Sequence, residues 1–170
     1  MKKCALVFLL FLMQTLTAQR KEAELGVGAI GLVVSDIKAS EHFYEDILEF
    51  IPAGGFELDK QWAIDSGASN NRPFGVKMYK QVNGDSATVL KLAYFNPEVS
   101  KRTEQNGIAA YAGANYLTFY YNGDDFYRIA EKLKKEGYSP LGWVKRERYQ
   151  LFFVKDPNGV FIELIGPPEE

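Results

Sequence analysis

The sequence is poor in the residues that build most thiol and metal sites. Its 170 residues contain one cysteine and one histidine, and Cys4 lies near the amino terminus. The chain beyond residue 18 therefore has no cysteine, which excludes a disulfide framework, a thiol nucleophile and a cysteine metal site there. His42 follows Glu41 on the first predicted helix and is interpreted as an exposed residue without a special role.

A hydrophobic run long enough to cross a membrane is also missing from the amino-terminal region. Two lysines, a short apolar run from Ala5 to Met13 and small residues up to Ala18 are typical of a signal peptide over residues 1–18. The run is too short for an ordinary transmembrane helix. Cys4 precedes it, which is the wrong place for a lipid anchor. We expect an exported protein, periplasmic or extracellular, that is cleaved near Ala18 and Gln19 and has no membrane anchor.

An excess of basic residues is absent as well. Of the 20 Lys and Arg, two lie in residues 1–18, which leaves 18 against 22 Asp and Glu, a net charge of −4. Nucleic-acid binding needs a basic face, so nucleic acid is not expected as a partner. About 150 residues remain after cleavage, enough for one domain with a core.

A strand followed by a helix is predicted twice. Residues 29–50 predict a strand, a turn at Asp36 and an amphipathic helix, and residues 116–138 predict the same order. The second helix is expected to begin near Asp124 or Asp125 and to end at Gly137. The apolar faces of the two helices are formed by Phe43, Ile47 and Leu48 in the first and by Phe126, Ile129 and Leu133 in the second.

Two further strands are predicted after each helix. The first pair is joined at Asn83-Gly84, a hairpin signal, and the second pair at Asp156-Pro157-Asn158-Gly159. Polar residues between the two halves predict a linker, and residues 54–72 predict a loop with a short helix around Trp62 to Asp65. The predicted organisation is a linker over 19–25 and one domain over 26–167, divided into module one (26–96), a linker (97–113) and module two (114–167).

The predicted strands have two different faces, because side chains alternate along a strand. One face is bulky and apolar and is expected to pack under the helices. The other combines small residues and aromatics with Lys91 and Glu163, which suits neither a second core nor a fully exposed surface. A concave, partly hydrated cup fits both observations.

Three segments resemble the vicinal oxygen chelate superfamily, which contains glyoxalase I, bleomycin-resistance proteins and extradiol dioxygenases. They are "GLVVSDIKASEHFYEDILEF", "YLTFYYNGDDFYRIAEKLKKEG" and "FFVKDPNGVFIELIG". The resemblance implies an α+β fold of two βαβββ modules. In this fold a U-shaped mixed sheet surrounds a cup and the helices lie on the outer face. Relatives in the family often form dimers, so a homodimer is also implied.

The resemblance also implies four positions at which metal-dependent members hold an ion. In this sequence they correspond to Ala29, Lys91, Tyr116 and Glu163. Only Glu163 keeps a ligand, and one carboxylate does not hold a divalent ion. No cofactor is therefore predicted, with a divalent metal in a non-standard site as the alternative.

Glu163 needs a partner, because a carboxylate that faces a semi-apolar cavity is costly when unpaired. The hypothesis is a salt bridge or shared water between Lys91 and Glu163, with Tyr116 nearby and a ligand lined by Phe95, Tyr120 and Phe161. One alternative is that the pair only closes a vestigial metal site. Another is catalysis by Lys91, as a base or Schiff-base lysine, with Glu163 and Tyr116.

The predicted function is metal-independent binding of a small apolar or aromatic molecule, resembling the bleomycin-resistance type. The first alternative is a glyoxalase-type lyase or isomerase, or a dioxygenase. The second is a dimeric interaction module. The basic stretch Lys145–Arg148 could guide an anionic ligand to the rim, but such a run is more often a solvated loop or edge strand.

Overall fold

The computed structural model describes residues 28–101, 107–110 and 112–169. The predicted signal peptide and the linker over 19–25 lie outside these residues. The strands are β1 (Ala29–Val33), β2 (Ile51–Leu58), β3 (Phe74–Lys80), β4 (Val89–Phe95), β5 (Tyr116–Tyr120), β6 (Trp143–Lys145), β7 (Gln150–Lys155) and β8 (Phe161–Gly166). The helices are α1 (Ile37–Glu41), which continues as a π-helical segment (His42–Ile47), α2 (Lys60–Ser66) and α3 (Gly123–Lys135). No helix in the described part of the chain has the length and apolar character needed to cross a membrane.

The strands form two four-stranded sheets, ordered β1-β4-β3-β2 and β5-β8-β7-β6. In each sheet the first strand of the module is parallel to the last, and the other neighbours are antiparallel. Both sheets are therefore mixed and have the same topology. This architecture confirms the predicted α+β class with two βαβββ modules. Strands β1 and β5 are edge strands of their sheets, and residues of both line one cleft.

The core lies between the sheets and the helices. The predicted helix faces are confirmed, because the apolar residues named for both helices are buried. Buried side chains from the strands meet them from the sheet side; these are Leu90, Leu92, Phe119, Phe152, Val154, Ile162 and Leu164. Burial of each such side chain contributes roughly 1.5–3 kcal/mol. The opposite face of each sheet does not contribute to this core.

The helix ends follow the capping rules, with one correction. Asp36 accepts a hydrogen bond from the backbone N–H of Ala39 at 3.0 Å and caps α1, as expected from the turn. The cap of α3 is Asn122 instead of Asp124 or Asp125, which lie in the first turn. Their carboxylates still favour the positive end of the helix dipole there. The chain after α3 turns at Gly137, whose φ of 86° suits glycine.

Two strands were not predicted from the residue pattern, although the family resemblance implied three strands after each helix. Strand β2 occupies the start of the segment predicted as a loop, and its irregular pairing between Pro52 and Gly55 hides the alternation of side chains. Strand β6 is only three residues long and lies at a sheet edge. The short helix predicted near Trp62 is confirmed as α2. The Asn83-Gly84 pair lies in a longer connection between β3 and β4, not in a tight two-residue turn.

The two modules are joined by a buried polar cluster around the turn before β8. Asn158 Oδ1 accepts hydrogen bonds from the backbone N–H and the hydroxyl of Ser35, at 2.9 and 3.1 Å. Asn158 Nδ2 donates to the Ser40 hydroxyl at 3.1 Å. Tyr44 donates to the Asp156 carboxylate at 3.0 Å. The turn of module two is therefore bonded directly to the first helix of module one.

Burial raises the pKa of the Asp156 carboxyl, although Tyr44 and the backbone N–H groups of Asn158 and Val160 donate to it. A raised folded-state pKa adds stability that is fully present below the unfolded-state pKa and is lost as pH rises through the folded-state pKa. The difference in unfolding free energy between wild type and Asp156→Asn should therefore fall as pH rises from about 4, the ordinary pKa of an aspartate, upward. Urea unfolding of both proteins across this range tests it. A difference that grows with pH would contradict the raised pKa.

Candidate functional site

The site begins with the face of the first sheet that points away from the core. Leu90 and Leu92 are buried against the helices, so Lys91 between them lies on the other face. Lys91 is opposite Met78 in the β3–β4 pairing, and Ala93 is opposite Val76. The predicted alternation along β4 is confirmed. We call this surface the concave face of the first sheet.

An aromatic cluster covers one end of that face. The rings of Phe74 and Phe95 are stacked with their centroids 5.0 Å apart. Trp62, from α2, packs edge-on against Phe74 at 5.8 Å. The guanidinium of Arg72 lies 4.8 Å from the centroid of the Phe95 ring and also donates to the backbone carbonyl of Pro97. Trp62 is 43% exposed, so the cluster keeps an apolar surface open to solvent.

The direct salt bridge predicted between Lys91 and Glu163 is wrong in the described structure, whereas the alternative of a shared water stays a prediction. Glu163 instead accepts a hydrogen bond from the Thr118 hydroxyl at 2.6 Å. The physical reason is the parallel register between β5 and β8, which places Thr118 directly opposite Glu163. Lys91 belongs to the other sheet, and its ammonium lies 5.9 Å from the centroid of the Phe56 ring. Thr118 thus stabilises the carboxylate for which Lys91 was the expected partner.

The concave face of the second sheet is also aromatic. Tyr116 packs edge-on against Phe153 with ring centroids 5.9 Å apart. The Lys155 ammonium lies 5.1 Å from the centroid of the Phe161 ring, which is buried. Tyr120 is 68% exposed at the far end of β5. The predicted ligand residues are therefore divided between two sheets: Lys91 and Phe95 on the first, and Tyr116, Tyr120, Phe161 and Glu163 on the second.

Two clefts lie where the modules meet. One has a volume of about 450 Å³ and is lined mainly by β1, the start of β5 and the segment around Val160. The other, of about 340 Å³, is lined by Leu90, Phe119 and neighbours from both modules. Tyr116 borders the first cleft and Tyr120 the second. The remaining four predicted ligand residues border neither of these two clefts.

The four positions implied for a metal do not form a suitable donor set. Ala29 has no donor atom, Lys91 is a cation, and the Glu163 carboxylate is bonded to Thr118. A divalent ion needs about three or more protein donors of suitable chemistry. Among residues 28–101, 107–110 and 112–169, no group of three or more His, Cys, Asp and Glu side chains is arranged to hold an ion. The side chains at these positions do not fit a divalent metal.

His42 lies on the outer side of the molecule, as expected. Its Nδ1 is 2.8 Å from the Asp46 carboxylate and its side chain is 48% exposed. The hydrogen bond to Asp46, and a second contact with Glu136, raise the pKa of His42. The residue is placed to connect the π-helical segment with the end of α3, not to bind a ligand in the cup.

Several residues of the concave face were missed by sequence reasoning. Phe74 could have been found, because it lies opposite Phe95 and shares a face of β3 with Val76. Phe56 and Trp62 could not, because their positions depend on the irregular strand β2 and on how α2 packs. Arg72 gave no signal beyond its charge.

The chain belongs to the glyoxalase/bleomycin resistance protein/dioxygenase superfamily, whose family model matches residues 26–164. This match and the paired βαβββ modules confirm the resemblance inferred from the three motifs. No curated protein is significantly similar to the chain.

Solved structures with the same fold cover most of the chain. A glyoxalase family protein from Bacillus cereus aligns with a TM-score of 0.69 and 20% identity, over 85% of this chain and 95% of that one. A glyoxalase/dioxygenase from Nostoc punctiforme aligns with a TM-score of 0.58 and 24% identity, over 88% and 95%. An antibiotic-binding protein from Streptomyces sp. CB03234 aligns with a TM-score of 0.54 and 17% identity, over 83% and 94%. At these identities the similarity shows the fold.

Proposed function

We propose that this protein binds a small apolar or aromatic molecule in its cup without a metal. The observation that carries the proposal is the open aromatic cluster on the concave face of the first sheet. Trp62, Phe74 and Phe95 form a continuous set of rings, one of which is substantially exposed. Aromatic surfaces of this kind hold planar apolar ligands by stacking and by burial of area.

The side chains at the four positions implied for a metal support the metal-independent part of the proposal. Lys91 would repel a divalent cation at the position where a ligand would be needed, and Thr118 already satisfies one oxygen of Glu163. The antibiotic-binding structural neighbour from Streptomyces supports small-molecule binding as one use of this fold. The amino-terminal sequence supports export, so the proposed place of binding is the periplasm or the exterior of the cell.

Binding of N-phenyl-1-naphthylamine, a neutral aromatic probe that emits when it leaves water, tests the proposal. We expect saturable binding in buffer that contains EDTA. Replacing Trp62 with alanine should weaken it about tenfold, since an aromatic contact contributes roughly 0.5–1.5 kcal/mol beyond its buried area. Titration of probe emission against protein concentration measures both affinities.

Tyr149→Ala is the matched control, because Tyr149 is an aromatic residue with 39% exposure beside β7 in module two, whereas the cluster belongs to module one. This variant should bind the probe as the wild type does. Binding that requires added zinc, nickel, manganese or iron(II) would contradict the proposal and favour a metal-dependent enzyme. Equal affinities for Trp62→Ala and wild type would show that the aromatic cluster is not the site.

A further inference from the structure

The four described strands of the first sheet place a positive charge, and no carboxylate, on its concave face. Strands β1 to β4 are described along their whole length, and their only carboxylate is that of Glu57. Glu57 accepts a hydrogen bond from the Tyr94 hydroxyl at 2.5 Å, and its register with Gly75 places it on the opposite face. Lys91 and Arg72 therefore contribute cations to a surface without acids on its strands. A concave surface of one sign of charge attracts ligands of the other sign.

Two aromatic rings of this face, Phe95 and Phe56, already have a cation of the chain near them. Cation–π attraction places a positive group over the face of an aromatic ring, within about 6 Å of its centroid. Here the Arg72 guanidinium lies over Phe95 at 4.8 Å, and the Lys91 ammonium lies at 5.9 Å from Phe56. A positively charged ligand would compete with the chain's own cations. A negatively charged ligand would be attracted by these cations.

The Lys91 ammonium is available to such a ligand. No carboxylate in the described part of the chain lies within 4.0 Å of it, and the side chain is only partly buried. Its neighbour in the β1–β4 register is Gly31, where an added Cβ would meet no atom within 4 Å. There is therefore open space over Gly31, on the strand next to Lys91.

The distance along β4 sets the size of the ligand. Lys91 and Phe95 are four residues apart, which corresponds to about 13 Å along a strand. Between them the floor is formed by the small side chain of Ala93 opposite Val76. A planar molecule of two or three rings fits this length, with one end at the ammonium and the rings against Phe74 and Phe95.

We propose that the concave face of the first sheet binds an aromatic anion. Its acidic group, a carboxylate or sulfonate, is paired with Lys91, and its rings lie on the cluster of Trp62, Phe74 and Phe95. This inference rests on the proposed function and specifies its ligand class. Arg72, held over Phe95, adds a second positive charge at the aromatic end.

Comparison of two probes with the same skeleton tests the inference. N-Phenyl-1-naphthylamine is neutral, and 8-anilino-1-naphthalenesulfonate carries one negative charge on the same pair of ring systems. We expect the sulfonate to bind about tenfold more tightly, as for a charge-assisted contact of roughly 1.5 kcal/mol. Lys91→Met should remove this preference and change the affinity for the neutral probe by less than about twofold. Lys91→Arg, which keeps the charge, should retain it.

Lys155→Met is the matched control, since Lys155 makes the same kind of contact with Phe161 on the second sheet. It should keep the preference for the sulfonate. Equal affinities of the two probes for the wild type, or an intact preference in Lys91→Met, would overturn the proposal that Lys91 pairs with an aromatic anion. Neither result would contradict the proposed function. Loss of the preference in Lys155→Met alone would also overturn the proposed site at Lys91, because it would place the anion on the second sheet. Binding of neither probe would overturn both proposals.

Discussion

Asn158→Ala is expected to lower the free energy of unfolding by about 3 kcal/mol, because each buried group left without its partner costs roughly 1–3 kcal/mol. The amide of Asn158 bonds the backbone N–H and hydroxyl of Ser35 and the hydroxyl of Ser40. Ser40 is fully buried, so water does not replace the lost partner there. Urea unfolding followed by circular dichroism measures the change.

Ser35→Ala is the matched control for this prediction. It removes one hydroxyl but leaves the bond between the Ser35 backbone N–H and Asn158 in place. The expected loss is about 1 kcal/mol, the typical net contribution of one hydrogen bond. A loss for Asn158→Ala no larger than that of Ser35→Ala would show that the turn does not hold the modules together.

The Asp-Pro-Asn-Gly turn shows which features of this fold local sequence can predict. Its residue types predict a turn between β7 and β8, and the turn is there. Burial of Asn158 and Asp156 could not be predicted, since their partners in module one, Ser35 and Tyr44, are more than a hundred positions away. Turn chemistry is local, whereas the docking of one module on the other depends on the packing of α1 and its π-helical continuation.

The same contrast between local sequence and long-range packing applies to the candidate site. Alternation along β4 and β8 was enough to place Lys91 and Glu163 on concave faces, because that property depends only on the strand itself. Their direct salt bridge was wrong, because it required the relative position of two sheets. The register between β5 and β8 determines the partner of Glu163 and makes it Thr118. The partner of Lys91 is Phe56, whose position depends on the irregular strand β2.

Gly166→Ala should destabilise the protein by about 3 kcal/mol, at the upper end of what overpacking a core costs. A Cβ at this position would lie 2.3 Å from Cγ of Phe126 and within 2.7 Å of both Cδ atoms. Phe126 is fully buried and touches the rings of Phe152 and Trp143, with centroids 5.3 and 5.6 Å away, so it has no free space to move into. The substitution therefore forces α3 away from β8. Thermal unfolding of the variant gives the measurement.

Gly31→Ala is the matched control, since it adds the same methyl group to another strand, where nothing lies within 4 Å. Its stability should stay within about 0.5 kcal/mol of the wild type, as for most surface substitutions. The pair separates crowding from the general effect of alanine on a glycine in a strand. If both variants lost the same stability, the close packing of α3 on the end of β8 would not be the cause. If only Gly166→Ala lost it, helix α3 is held against the sheet by a contact that has no room for one methyl group.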